Sequence, residues 1–229
     1  MTNHPIDTIK RVGDVSTNRR RFLMGAGGIA AVGLLAACGG DDDTTAGDVT
    51  TTTTKPGGTT TAPMGDGAAD LKTGAFAASL EVLAVNTYGA ALDAAGAGKL
   101  GEVPPAVAEF VTTARAHHQA ALDAWNEVLT GAGEDAVDAP PAELEATVNE
   151  EFAKVTDVVG AAKLALMLEQ IAAATYLEAI PGLETEGAIA LAASIQPIDM
   201  QHAAVLLFVL GEYPVPDNFA KTEMSAVPK

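Results

Sequence analysis

The sequence predicts an all-α domain in which four long helices form two antiparallel hairpins joined by a crossover. Three observations predict it. From residue 68 onward the chain is rich in Ala, Leu and Val and lacks the aromatic and β-branched alternation that marks strands. Proline and glycine punctuate that region at intervals suited to long helices. A phrase also repeats: LEVLAVNTYGAA at residues 80–91 returns as LEQIAAATYLEA at residues 168–179, so the two halves read as versions of one hairpin. A segment of about 160 residues is long enough to bury one substantial core.

Residues 1–37 read as an export signal rather than as part of the fold. Asn18-Arg19-Arg20-Arg21-Phe22-Leu23-Met24 sets paired arginines ahead of a short apolar run, Gly25 to Ala37, which is the layout of a twin-arginine signal. The run is too short and too glycine-rich for a comfortable membrane span. It ends in Leu35-Ala36-Ala37-Cys38, which resembles a bacterial lipobox, where the cysteine is acylated and becomes the new N-terminus. A lipid on Cys38 would tether the domain to the outer face of the cytoplasmic membrane. Cys38 is the only cysteine, so nothing remains in the mature chain for a disulfide, thiol catalysis or thiolate metal ligation. Residues 38–67 continue with Asp41-Asp42-Asp43 and Thr50 to Thr54 among glycines and prolines. Too few apolar side chains are present to offset chain entropy, and a disordered stalk is expected.

The helical region is expected over residues 68–213. The first helix runs from about Ala68 to Ala95 and stops at Gly96 and Gly98. The second starts at Pro104-Pro105, where a fixed φ and a missing N–H suit a first turn, and ends near Gly131-Ala132-Gly133. A longer link follows, with Pro140-Pro141 and a polar helical stretch from Glu143 to Lys154. The third long helix covers about Thr156 to Ile180 and is closed by Pro181-Gly182. The fourth covers about Glu184 to Gly211, and Pro197 inside it is expected to kink it or open a gap in its backbone ladder. Pro214 and Pro216 then forbid further helix, leaving 214–229 as a tail. Short links within each pair make hairpins, and the long middle link permits a crossover.

Charge narrows the function. The full chain carries a formal −17; residues 1–37 hold five basic groups (Lys10, Arg11, Arg19, Arg20, Arg21) against two acidic ones (Asp7, Asp14), so the mature chain is near −20. Such an acidic surface argues against nucleic acid as a partner and against a basic membrane-docking face. No phosphate loop, serine triad or basic aromatic surface is present, so nucleotide and hydrolase chemistry have no support.

Helical spacing points the charged groups of the repeat inward. Leu166, Glu169, Ala173 and Tyr176 share one stripe, and so do Ile195, Asp199, His202, Leu206 and Val209. The repeat matches Glu81 with Glu169, and His118-Gln119-Ala120-Ala121-Leu122 with His202-Ala203-Ala204-Val205-Leu206. Two such hairpins facing each other bring two glutamates and two histidines to one core, and a buried carboxylate there needs a partner. Tyr88 and Tyr176 fall on the same stripes as packing residues with hydrogen-bonded hydroxyls, and Trp125 is expected in the core.

At these residues the chain resembles the ferritin-like superfamily, and most closely its exported bacterial branch, through the paired Leu-Glu phrases and Ser194-Ile195-Gln196-Pro197-Ile198-Asp199-Met200-Gln201-His202-Ala203-Ala204-Val205-Leu206. The resemblance covers about residues 70–220 and implies a ferritin-like four-helix bundle. It also implies a core metal site with one Glu from each of two helices and an acid-x-x-His pair from each of the other two. Carried over, the ligands are Glu81, His118, Glu169, Asp199 and His202, and the metal is iron or manganese, which suit carboxylate and imidazole donors.

Helix two departs from that pattern. Arg115 stands three residues before His118, where the family pattern has a glutamate, and Asp199 is shorter than the glutamate it replaces. Arg115 either points inward, replacing metal as a salt-bridge partner of Glu81, Glu169 or Asp199, or swings out to solvent on its long stem. His117 is either a further imidazole near the site or an exposed neighbour. Two functions follow: an envelope-anchored metal protein that oxidises or sequesters iron or manganese, or a metal-free binding or scaffold module in which Arg115 takes the metal's place. Catalytic residues are not assigned, and a homodimer is compatible with either.

Overall fold

Each predicted helix forms, with ends set by residues chosen for that purpose. The computed structural model describes residues 67–228. The export signal, Cys38 and the stalk up to residue 66 lie outside them. The helices are α1 (Ala68–Gly96), α2 (Pro105–Gly131), α3 (Ala142–Phe152), α4 (Val158–Ala179) and α5 (Glu186–Val209), with a 3-10 turn at Ile180–Gly182 between α4 and α5. Among the described residues there is no strand.

Local chemistry explains the boundaries. Pro105 occupies the first turn of α2, where its missing N–H costs nothing. Gly133, at φ 88°, lets the chain turn away after α2, with Glu134 N donating to Leu129 O at 2.9 Å. Asp157 caps α4 by accepting from Gly160 N at 2.8 Å, and Thr185 caps α5 by accepting from Ala188 N at 3.4 Å. Pro197 does not break α5, which continues through it. Having no N–H, the proline leaves the carbonyl of Ala193, an exposed residue, without its usual helical donor.

The long helices pair as the link lengths require, α1 with α2 and α4 with α5, and α3 packs on α4. One core cluster gathers around Trp125, with Ala78, Val82, Leu129, Tyr176, Ala188 and Ile195. The indole lies directly on α1: a Cβ at Gly74 would stand 2.9 Å from Trp125 Cε3, so only glycine leaves it room. A second cluster sets Leu144 and Val148 of α3 against Leu83 of α1 and Leu164, Met167 and Ile171 of α4. The tail after α5 returns to this side, where Ala226 N donates to Thr175 Oγ1 at 2.9 Å. Two helical stretches, Ala68–Gly96 and Val158–Gly182, are long and apolar enough to cross a membrane by length and composition. Here they carry Glu81 and Glu169 into the bundle interior, where both are buried.

One buried carboxylate locks the ends of the two hairpins together. Asp70, in the first turn of α1, accepts from Glu184 N at 3.0 Å, Thr185 N at 2.8 Å and Thr185 Oγ1 at 2.7 Å. Burial works against the charged form, but the Thr185 hydroxyl and the two backbone N–H groups outweigh it and lower the Asp70 pKa. Stability from this contact is therefore present above the ordinary value of 3.8 and lost as pH falls through the folded value. Asp70→Ala leaves three donors unsatisfied and is expected to cost about 2–3 kcal/mol. Thermal denaturation followed by circular dichroism checks this at roughly 2–4 °C per kcal/mol, and an unchanged midpoint refutes the lock.

Candidate metal centre

Four of the five predicted ligands come together most tightly. One donor atom each from His118, Glu169, Asp199 and His202 lie within 4.8 Å of one another, and all four side chains are buried. Glu81 joins through the imidazole: His118 Nδ1 is 2.7 Å from Glu81 Oε2, while His118 Nε2 is 3.1 Å from Glu169 Oε1. A ring that donates to two carboxylates at once holds both protons. Burial by itself would lower the His118 pKa; the charge and hydrogen bonds of Glu169 and Glu81 reverse that and raise it well above 6.5. The stability it contributes is complete below the ordinary value and is lost as pH rises through the folded one. Glu169 answers in kind: burial opposes its ionisation, but His118 and then His202 hold its pKa below the usual carboxylate range.

The tyrosines cross between the halves. Tyr88, which follows Glu81 on α1, donates to Glu169 Oε1, and Tyr176, which follows Glu169 on α4, donates to Glu81 Oε1 at 2.6 Å. Burial first, then the charge of the glutamate each one serves, raises both phenol pKa values, so both remain protonated donors. Trp125 Nε1 donates to Tyr176 Oη at 2.9 Å and extends this chain. The stripe positions of these residues were legible in the sequence. The exchange between halves was not, because helix periodicity does not say which facing helix a side chain meets.

His117 turns out to be both of the things foreseen for it. Its side chain is exposed on one face, yet Nδ1 lies 3.0 Å from His202 Nε2 and the rings stack at 5.2 Å with 9° between planes. Burial, then His202 and His118, lowers its pKa. His202 therefore has both nitrogens engaged, since Nδ1 is 3.2 Å from Glu169 Oε2.

Arg115 takes the outward of its two expected courses. It occupies the place in α2 that Asp199 occupies in α5, each three residues before the histidine, but it is exposed and takes no part in the cluster. Its guanidinium lies over Gly89, where a Cβ would stand 3.5 Å from Arg115 Cζ. The repeat carries Leu177 where α1 has Gly89, so no long side chain at that place competes with the guanidinium resting on α1. That pairing of Gly89 with Arg115 was the sequence signal available to predict it. The cation that bridges the glutamates is His118.

Residues 69–212 match the family model described as Ferritin-like domain. The chain belongs to that family. Comparison with curated proteins and with solved structures found no match. The residues that a ferritin-like ligand scheme would draw on, Glu81, Glu169, His118, His202 and Asp199, are all buried in this core, and Arg115 stands where that scheme has its second acid.

Asp199 tests whether a metal fits this ferritin-like core. Its Oδ2 is buried and has no hydrogen-bond partner, the one such buried side-chain atom among the described residues. Burial, then Glu81 and Glu169, pushes its pKa well above 3.8, with His118 only partly opposing them. Metal–ligand bonds of roughly 2.0–2.2 Å put opposed donors about 4.0–4.4 Å apart, so a group spanning at most 4.8 Å fits an ion after a small closure. In the metal-free protein the stability consistent with Asp199 is present below pH 3.8 and lost as pH rises through its folded pKa. Asp199→Asn is accordingly expected to raise metal-free stability at neutral pH by about 1–3 kcal/mol, and Arg115→Ala to change it by less than about 0.5 kcal/mol. Parallel melting curves check both; a large loss on removing Arg115 restores it to the core.

Proposed function

We propose that this ferritin-like protein binds one iron or manganese ion in the bundle core and sequesters or oxidises it at the outer face of the cytoplasmic membrane. The observation that carries the reading is Asp199 Oδ2, buried without a partner among donors from His118, Glu169 and His202. A structural carboxylate would have acquired a donor, whereas a ligand is left with a free lone pair. Nitrogen and carboxylate oxygen together suit iron and manganese, and either would supply one-electron redox chemistry when bound. Glu169 and His202 orient one another, and Tyr88 and Tyr176 hold the glutamates from behind. One ion is favoured over two because Arg115 stands where a second ion needs its acid.

A metal-free binding or scaffold module is the second reading, and the His118 bridge between Glu81 and Glu169 supports it. That bridge already neutralises carboxylate charge with a proton. It leaves Asp199 unexplained, which is why the metal reading is preferred. Elemental analysis of the mature chain equilibrated with excess Fe2+ or Mn2+ is expected to give close to one ion per chain, falling towards zero in Asp199→Asn and His202→Ala. A value near zero for the unsubstituted chain selects the module instead.

The anchoring half of the proposal rests on Arg19-Arg20 and on Cys38 at the end of an apolar run. In a bacterial host with twin-arginine export, the chain is expected in the membrane fraction. Cys38→Ala should release it, and replacing Arg19 and Arg20 by lysine should keep it in the cytoplasm. Membrane association unaffected by Cys38→Ala overturns the lipid anchor.

A further inference from the structure

Two described cavities reach the side chains proposed to hold the metal, and they differ in size and lining. One, of about 30 Å3 behind Leu144 of α3, touches His118 and Glu169 but is otherwise walled by Leu80, Leu83, Leu168 and Ile171. The other, of about 280 Å3, lies between α2 and α5 and reaches both His118 and Asp199. Its α2 wall is short, Ala120, Ala121 and Ala124, its α5 wall carries Leu191, Ser194, Ile195 and Ile198, and His117 also lines it. Ala120, His117 and Ser194 are exposed, so the cleft opens to solvent.

We propose that this cleft, with His117 at its rim, is the route by which a hydrated divalent cation reaches Asp199. The inference rests on the metal-binding reading above and adds the path and the form in which the ion travels. Size decides between the two cavities. At roughly 30 Å3 per water, a cation with six waters needs on the order of 180 Å3, which the cleft provides and the cavity behind Leu144 does not. Chemistry agrees with size. The cleft reaches Asp199, whose Oδ2 is buried without a partner, and His117 offers an imidazole at its rim, stacked on His202. The acidic chain draws cations towards any such opening. Arg115, the one guanidinium on α2, lies over Gly89 of α1, so its charge leans on the α1 side of that helix.

A route alters how fast the ion arrives and leaves, and leaves the equilibrium alone. Stopped-flow absorbance of the mature chain, with Co2+ alone as the probe, separates the two. Ser194→Phe and Ala120→Phe narrow the cleft from opposite helices at exposed positions, so their folding is expected to survive. Each should slow Co2+ association about tenfold, with stoichiometry and Kd unchanged. Ala108→Phe, in the separate apolar cavity near Phe110 and Val107, should leave the rate as it was. Association at the unsubstituted rate in either folded cleft variant overturns the route while the metal reading stands. Failure of the unsubstituted chain to bind Co2+ overturns both, and slowing by Ala108→Phe to the same extent shows that bulk anywhere in the bundle suffices, which also refutes the cleft.

Discussion

The bridge Glu81–His118–Glu169 is the contact on which the rest of the core depends. Two carboxylates on neighbouring apolar helices cannot both be buried against hydrocarbon, and the imidazole of α2 between them supplies the missing proton and the missing donors. Every hairpin contributes to that arrangement: α1 and α4 bring the acids, α2 brings the base, and α5 adds His202 against the free oxygen of Glu169. Removing one member of such a buried set is costly because its partners stay buried and unpaired. The set therefore fixes the register of all four long helices as well as the chemistry of the centre.

Around that bridge the two halves are similar in plan and unequal in detail. Trp125 supports Tyr176, whereas its counterpart in the repeat, Val209, offers Tyr88 no hydrogen bond; Phe110 instead packs edge-on against Tyr88 and against His202. Asp199 stays inside and Arg115 goes outside, although the repeat gives them equivalent places. The physical difference is length. An aspartate on α5 cannot reach water past its own helix, while an arginine can extend its stem so that the guanidinium lies over Gly89 with its charge at the surface. The resulting core has a proton-bridged side at Glu81 and an under-satisfied side at Asp199, and the open cleft leads to the second. Asp199 Oδ2 lacks a donor, and His118, Glu169 and His202 place their donors beside it in a group that could hold a cation.

Much of this was legible in the chain as written. Helix boundaries fell within a few residues of the predicted ones because Pro105, Gly133, Asp157 and Thr185 act locally, through backbone conformation and capping. The inward stripe of Glu169 and Tyr176, and that of Asp199 and His202, followed from a period that any amphipathic helix must obey. Pro197 lies inside an α5 that continues through it, and its missing N–H leaves the gap in the backbone ladder that its place in the sequence implies.

By itself, then, the sequence determined an all-helical ferritin-like domain, the pairing of its hairpins, and the side chains that would face one another at its centre. Only the tertiary structure decided who holds whom: that Tyr88 serves Glu169 and Tyr176 serves Glu81, that His117 backs His202, that His118 is the bridging cation, and that Arg115 is not. The reason is that periodicity assigns a residue to a face, and a face is shared by several neighbours. Which neighbour satisfies a buried charge depends on side-chain length, on gaps such as Gly89, and on distances between helices that no local pattern records.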